Sequence, residues 1–147
     1  MTPEEFIKSK VIYDNGYEPH SCEMVPKAVA LRAIEMSRNM TLNEYQNKAL
    51  ETEDYPANLK IILPTLGLTG EAGEVADKVK KVLRDNNGEF TDERKEEIAK
   101  EIGDVAWYLA VLAHSIGYTL EEICIINIAK IELRFVRGKI HGEGDNR

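Results

Sequence analysis

Cysteine is scarce in this 147-residue chain: Cys22 and Cys124 stand far apart, with no CxxC spacing. Neither a zinc site nor a disulfide framework is indicated, and a reducing cytoplasm is the expected location. Histidine is almost as rare. His114 has no ligand-like partner nearby, and His20 and His141 lie in poorly patterned segments. Positive charge is in deficit, since 19 Lys and Arg face 26 Asp and Glu for a net charge of -7. Such a chain lacks the basic excess that releases counterions from a polynucleotide, which excludes a nucleic-acid polymer as partner. A small anionic ligand carried by a metal stays open. No apolar run approaches the length of roughly 20 residues that spans a bilayer, and the acidic opening Met1-Thr-Pro-Glu-Glu5 is unlike a signal peptide, so no membrane partner is expected. Strand alternation, internal repeats and low-complexity tracts are also missing.

What the chain does have is helical periodicity. Its 43% hydrophobic content and its length suit one domain with a core. Residues 1–40 form a weakly patterned N-terminal extension, with a short helix around Glu4–Lys10, a turn at Asp14-Asn-Gly16, and a helix from about Ala28 to Asn39 after Pro26. That second helix is open to three readings: covering a site, extending an interface, or neither. From Thr41 to about residue 141 the pattern is stronger. Thr41-Leu-Asn-Glu44 has the form of a capping box opening a helix to about Glu51. A long helix starts near Pro64 or Thr65, carries Leu66, Val75, Val79, Val82 and Leu83 toward a core, and ends at Asp85-Asn-Asn-Gly88. Thr91 or Asp92 caps the next, in which Ile98, Ile102, Val105, Leu109, Leu112 and Ile116 keep helical spacing until Gly117. A second capping box, Thr119-Leu-Glu-Glu122, opens the last helix, which takes Ile123, Ile126, Ala129, Ile131 and Phe135 to about Ile140. Residues 142–147 read as an irregular tail. The sum is an all-α antiparallel helical bundle.

Two acidic pairs lie within these helices, Glu71-Ala-Gly-Glu74 and Glu101-Ile-Gly-Asp104. Residues at i and i+3 share a helical face, so each pair aims two carboxylates at one place, and two adjacent helices converge four. Oxygen-only ligands of this kind suit Mg²⁺ or Mn²⁺, which in turn hold substrate phosphates. A lone ExxE is more often a solvated helix face, and Glu74 with Lys78 at i, i+4 makes an ordinary surface pair. Gly70, Gly73 and Gly103 raise the stakes. Each costs about 1 kcal/mol relative to Ala inside a helix, and close approach of two helices beside the carboxylates would account for all three. Tight packing without an ion is the alternative.

The segment Leu66-Gly-Leu-Thr-Gly-Glu-Ala-Gly-Glu-Val-Ala-Asp-Lys-Val-Lys-Lys81, followed by Glu101-Ile-Gly-Asp-Val-Ala-Trp-Tyr108 and Asn127-Ile-Ala-Lys130, resembles the MazG-like nucleoside triphosphate pyrophosphohydrolases. The likeness runs from about Thr41 to Ile140, with ExxE, ExxD and NxxK in order. It implies the all-α NTP pyrophosphatase fold and a Mg²⁺ cluster on Glu71, Glu74, Glu101 and Asp104. It also implies hydrolysis of an NTP or dNTP between the α and β phosphates to a nucleoside monophosphate and pyrophosphate. Glu74 is assigned the added task of orienting the attacking water. The likeness further implies that Asn127, Lys130 and Arg134, on one face of the last helix, reach phosphates or sugar, although basic residues late in a helix also offset its dipole. Lys78 and Lys81 are placed similarly after the first pair. Gln46 matches a substrate-contact position, with a solvated surface role as the alternative. Trp107 and Tyr108 offer a ring to stack on a nucleobase or to pack inside.

One departure is plain: many relatives have two consecutive acids where this chain has Lys100-Glu101. A homodimer or homotetramer is implied, in a nucleotide-pool housecleaning role. Specialised dUTP, dCTP or phosphoribosyl-ATP pyrophosphohydrolases share the same helical metal logic. A di-iron bundle would want Glu-x-x-His elements, which neither pair provides. The rival from another class is a non-catalytic oligomerisation module whose Ile98–Ile116 stripe merely dimerises.

Overall fold

Four α-helices fill the part of the chain that the computed structural model describes, residues 40–139: α1 (Leu42–Leu50), α2 (Ile62–Asp85), α3 (Asp92–Ser115) and α4 (Leu120–Val136), with a 3-10 turn, Ala57–Leu59, between the first two. The fold is all-α, with no strand among the described residues. The chain divides into two units at Thr41–Leu42, and the four helices belong to the second. The helices expected at 4–10 and 28–39, the turn at 14–16, the tail, and Cys22, His20 and His141 fall outside the described residues.

The helix ends follow from local chemistry. Pro64 occupies the first turn of α2, where the N–H it lacks would have had no intrahelical acceptor, so the helix starts slightly earlier than expected. Thr91 caps α3, its hydroxyl oxygen accepting from the Arg94 N–H at 3.4 Å. The capping box at α4 is complete: the Glu122 N–H donates to the Thr119 hydroxyl at 3.1 Å, and the Thr119 N–H donates to the Glu122 carboxylate at 2.8 Å. α4 ends at Val136, short of Ile140. Gly138 at φ 65° closes it, its N–H donating to the Phe135 carbonyl while the Lys139 N–H donates to that of Arg134. That paired return is the Schellman arrangement, and Gly117 at φ 85° repeats it at the end of α3.

α2 and α3 pack as an antiparallel hairpin, while α4 leaves the end of α3 at 97°. α1 sits in that corner, packed on both α3 and α4. Gln46 holds it there. Buried at 4% exposure, its amide nitrogen donates to the carbonyls of Ala110 (3.0 Å) and Tyr118 (3.2 Å), and its oxygen accepts from the Leu120 N–H at 3.1 Å. The last bond satisfies an N-terminal amide of α4 that has no intrahelical partner. Around it Ala49, Ala110, Val111 and Leu120 form the core cluster, with Tyr45, Leu50, Tyr55, Trp107 and Cys124 packed against it.

That core is thinner than the periodicity implies. Val82 is fully buried, yet Leu66 and Leu83, expected to face a core, are exposed, as are Ile102, Leu109, Ile116, Ile126, Ile131 and Phe135 of the later helical stripes. Helical spacing tells which face is apolar and not what covers it. No single helix among the described residues is long and apolar enough to cross a membrane.

Candidate metal centre

The antiparallel register of α2 and α3 decides which carboxylates meet. Lys78 lies beside Glu101 at 3.4 Å, and Gly67 lies beneath the Tyr108 ring. The helices run in opposite senses, so the pairing that sets Gly67 against Tyr108 brings Glu71, four residues on along α2, to Asp104, four residues back along α3. Glu71, Glu101 and Asp104 each place a carboxylate oxygen within 4.8 Å of the others. Glu74 lies outside that tight group. It is still near enough to act on Glu71, whose carboxyl is pushed above its ordinary value by partial desolvation, then by the charges of Glu74, Asp104 and Glu101. One lysine at Glu101 leaves net negative charge over the group. Hard oxygen donors with uncompensated charge are the donor set a divalent cation such as Mg²⁺ or Mn²⁺ requires, so the residues fit the ion that the sequence pattern implies.

The expected explanation for the helical glycines does not hold. A Cβ built on Gly70, Gly73 or Gly103 meets nothing within 4 Å, so none of the three marks a close helix approach. The close approach is at Gly67, which the sequence contains one turn before Glu71 but which its spacing alone did not distinguish from the others.

The remaining candidates have different settings. Lys78 reaches the carboxylates, bonding across the hairpin to Glu101 rather than along α2 to Glu74. Lys81 pairs instead with Asp77 at 2.7 Å, an interaction that helps lower the Asp77 carboxyl to about 2 and raises the lysine. Trp107 and Tyr108 belong to an aromatic cluster. Their rings meet edge to face with centroids 5.0 Å apart, Tyr55 stands 6.3 Å from Trp107, and the indole N–H donates to the Thr52 hydroxyl at 3.0 Å. Burial, followed by a hydrogen bond with Tyr108, raises the Tyr55 phenol. Gln46 is neither solvated nor open to a ligand, because the α1–α3–α4 corner occupies both of its amide hydrogens. Finally, Asn127, Lys130 and Arg134 are carried away on α4. With a rise of 1.5 Å per residue and a near-perpendicular turn between α3 and α4, Lys130 lies on the order of 25 Å from the carboxylate group of its own chain.

The hairpin bears ExxE on one arm and ExxD on the other, and of the four carboxylates that the sequence resemblance implied as one cluster it brings together three, Glu71, Glu101 and Asp104, with Glu74 outside. The MazG nucleotide pyrophosphohydrolase domain matches residues 63–135, from the start of α2 to the end of α4. The Gene 37 protein of Mycobacterium phage L5 is 41% identical over 116 residues, which is 74% of this chain and the whole of the phage protein. The chain belongs to the MazG nucleotide pyrophosphohydrolase family. No solved structure matches it. Membership places the protein among the hydrolases that act on acid anhydrides, and in this MazG domain the three converging carboxylates are the acidic group on the matched hairpin.

Proposed function

We propose that the protein hydrolyses a nucleoside triphosphate, NTP or dNTP, between the α and β phosphates in a Mg²⁺-dependent reaction, releasing nucleoside monophosphate and pyrophosphate. The convergence of Glu71, Glu101 and Asp104 on the matched hairpin carries this reading. Those three residues hold the ion, with Mn²⁺ as a substitute. When bound, the ion supplies charge neutralisation for the transferring phosphoryl group. Glu74, one turn from Glu71 and outside the tight group, orients the attacking water and accepts its proton. Lys78 passes from Glu101 to a phosphate oxygen as substrate enters. A cytoplasmic housecleaning role suits such chemistry.

A panel of ordinary and modified NTPs and dNTPs, with dUTP, dCTP and phosphoribosyl-ATP included, tests the reaction and its specificity together. Pyrophosphate is expected as the first product; orthophosphate first would overturn the proposal. A single strongly preferred substrate would move the assignment to one of the specialised enzymes.

The active form is proposed to be a homodimer or homotetramer. Exposed Ile102 and Leu109 on α3 and Ile116 at its C-cap recur every seven residues, an apolar seam suited to a second hairpin. A second copy also offers its own Asn127, Lys130 and Arg134, which the first cannot bring to its carboxylates. Light scattering is expected to give at least twice the 16.6 kDa of one chain. Mixing inactive Asp104→Asn with inactive Lys130→Ala is expected to restore turnover, because one mixed site is then intact. A monomer at working concentration would reject the assembly; no restoration on mixing would place the α4 residues outside the site.

A further inference from the structure

A Cβ added to Gly67 would stand 2.1 Å from Cε1, 2.3 Å from Cζ and 2.7 Å from Cδ1 of Tyr108. Ordinary carbon contacts need about 3.5 Å or more, so the phenol ring lies directly on the bare backbone of α2. Its place along the hairpin matters. Glu71 follows Gly67 by one helical turn and Asp104 precedes Tyr108 by one, so the ring-on-glycine contact and the Glu71–Asp104 pair are neighbouring rungs of one register. The ring is also held from behind. Trp107 meets it edge to face at 89°, Trp107 is itself bonded to Thr52, and Tyr55 engages it from the loop before α2. A methyl at position 67 must therefore move either the helix or this whole cluster.

We propose that Gly67 and Tyr108 form the spacer that sets the separation of α2 and α3 under the carboxylate group, making Gly67 a positioning residue for the metal site. This rests on the metal-binding role assigned to Glu71, Glu101 and Asp104. To reach an ordinary contact the methyl and ring must part by more than about 1 Å. Mg²⁺ demands near-ideal octahedral geometry with oxygens at about 2.0–2.1 Å, so a displacement of that size one turn away separates ligands that must converge. Tyr108 on this account supports the site from outside and does not stack on the base.

Mn²⁺ binding to the full-length protein, followed by the paramagnetic signal of the free ion, tests the idea without substrate. Gly67→Ala is expected to weaken Mn²⁺ binding by about 10- to 100-fold, the range seen when groups that orient ligands are altered, while the metal-free protein still unfolds cooperatively. Combining it with Tyr108→Leu, which removes the ring the methyl strikes, is expected to recover binding to the level of Tyr108→Leu alone. Such non-additivity is the signature of a direct contact. Wild-type affinity in Gly67→Ala, or equal loss in the double variant, overturns the proposal. If Gly67→Ala fails to fold, Tyr108→Leu alone decides: weaker binding by several-fold supports the spacer, and unchanged binding rejects it. Failure of the unaltered protein to bind Mn²⁺ would instead overturn the metal site itself, and the spacer with it.

Discussion

Asp104→Asn is expected to lower kcat/KM by at least about a thousandfold, roughly 4 kcal/mol of transition-state stabilisation, while making the metal-free protein more heat-stable. Both effects have one cause. Asp104 is one of three carboxylates with oxygens within 4.8 Å, and its charge helps push the Glu71 carboxyl upward. The amide keeps the shape and removes a ligand charge, so the ion loses affinity and the empty site loses repulsion. Glu74→Gln should behave differently. Because Glu74 stands outside the tight group, its loss should lower kcat strongly while leaving Mn²⁺ affinity near the unaltered value. Pyrophosphate release under steady-state conditions, set beside metal titration, separates the two. Full activity in Asp104→Asn, or equal loss of metal binding in both variants, would sink the division of labour.

Much of the fold was legible because helix ends are written in short-range chemistry. Thr91, the Thr119–Glu122 box and Gly117 each act within four residues, and each lies where the sequence puts it. The ExxE and ExxD pairs were equally plain, since i and i+3 fix a shared face. What the sequence left open depends on the register between helices. Nothing local distinguishes Gly67, packed under an aromatic ring, from Gly70 and Gly73, which face open space. Gln46 is a similar case: a polar residue on a short helix looks solvated until three backbone groups from a distant corner are seen to converge on it. The apolar stripe of α3 lies where the spacing predicts, yet Ile102, Leu109 and Ile116 along it are exposed. Periodicity carries no information on whether the covering surface belongs to the same copy.

Mg²⁺ or Mn²⁺ added to metal-free protein is expected to raise Tm by on the order of 10 °C at a hundredfold excess over Kd, where ligand binding stabilises by about 2.7 kcal/mol. The increment should shrink on acidification. Glu71 has a folded-state pKa above its unfolded value of 4.5. In the metal-free protein its contribution is therefore fully present below that unfolded value and is lost as pH rises through the folded one. An ion reverses this, because it needs the carboxylates deprotonated and relieves the repulsion that raised Glu71. Other carboxylates act with the opposite sign. Asp77, held near 2 by Lys80 and Lys81, and Glu122, lowered by its bonds to Thr119, stabilise the fold above their unfolded values and lose that contribution as pH falls. Their effect is common to samples with and without ion, so the difference in Tm isolates the site. That difference should be clearly larger at about pH 7.5 than at about pH 5, and absent from Asp104→Asn at both. An equal shift at the two pH values, or an undiminished shift in Asp104→Asn, would mean that the ion binds elsewhere on this acidic chain.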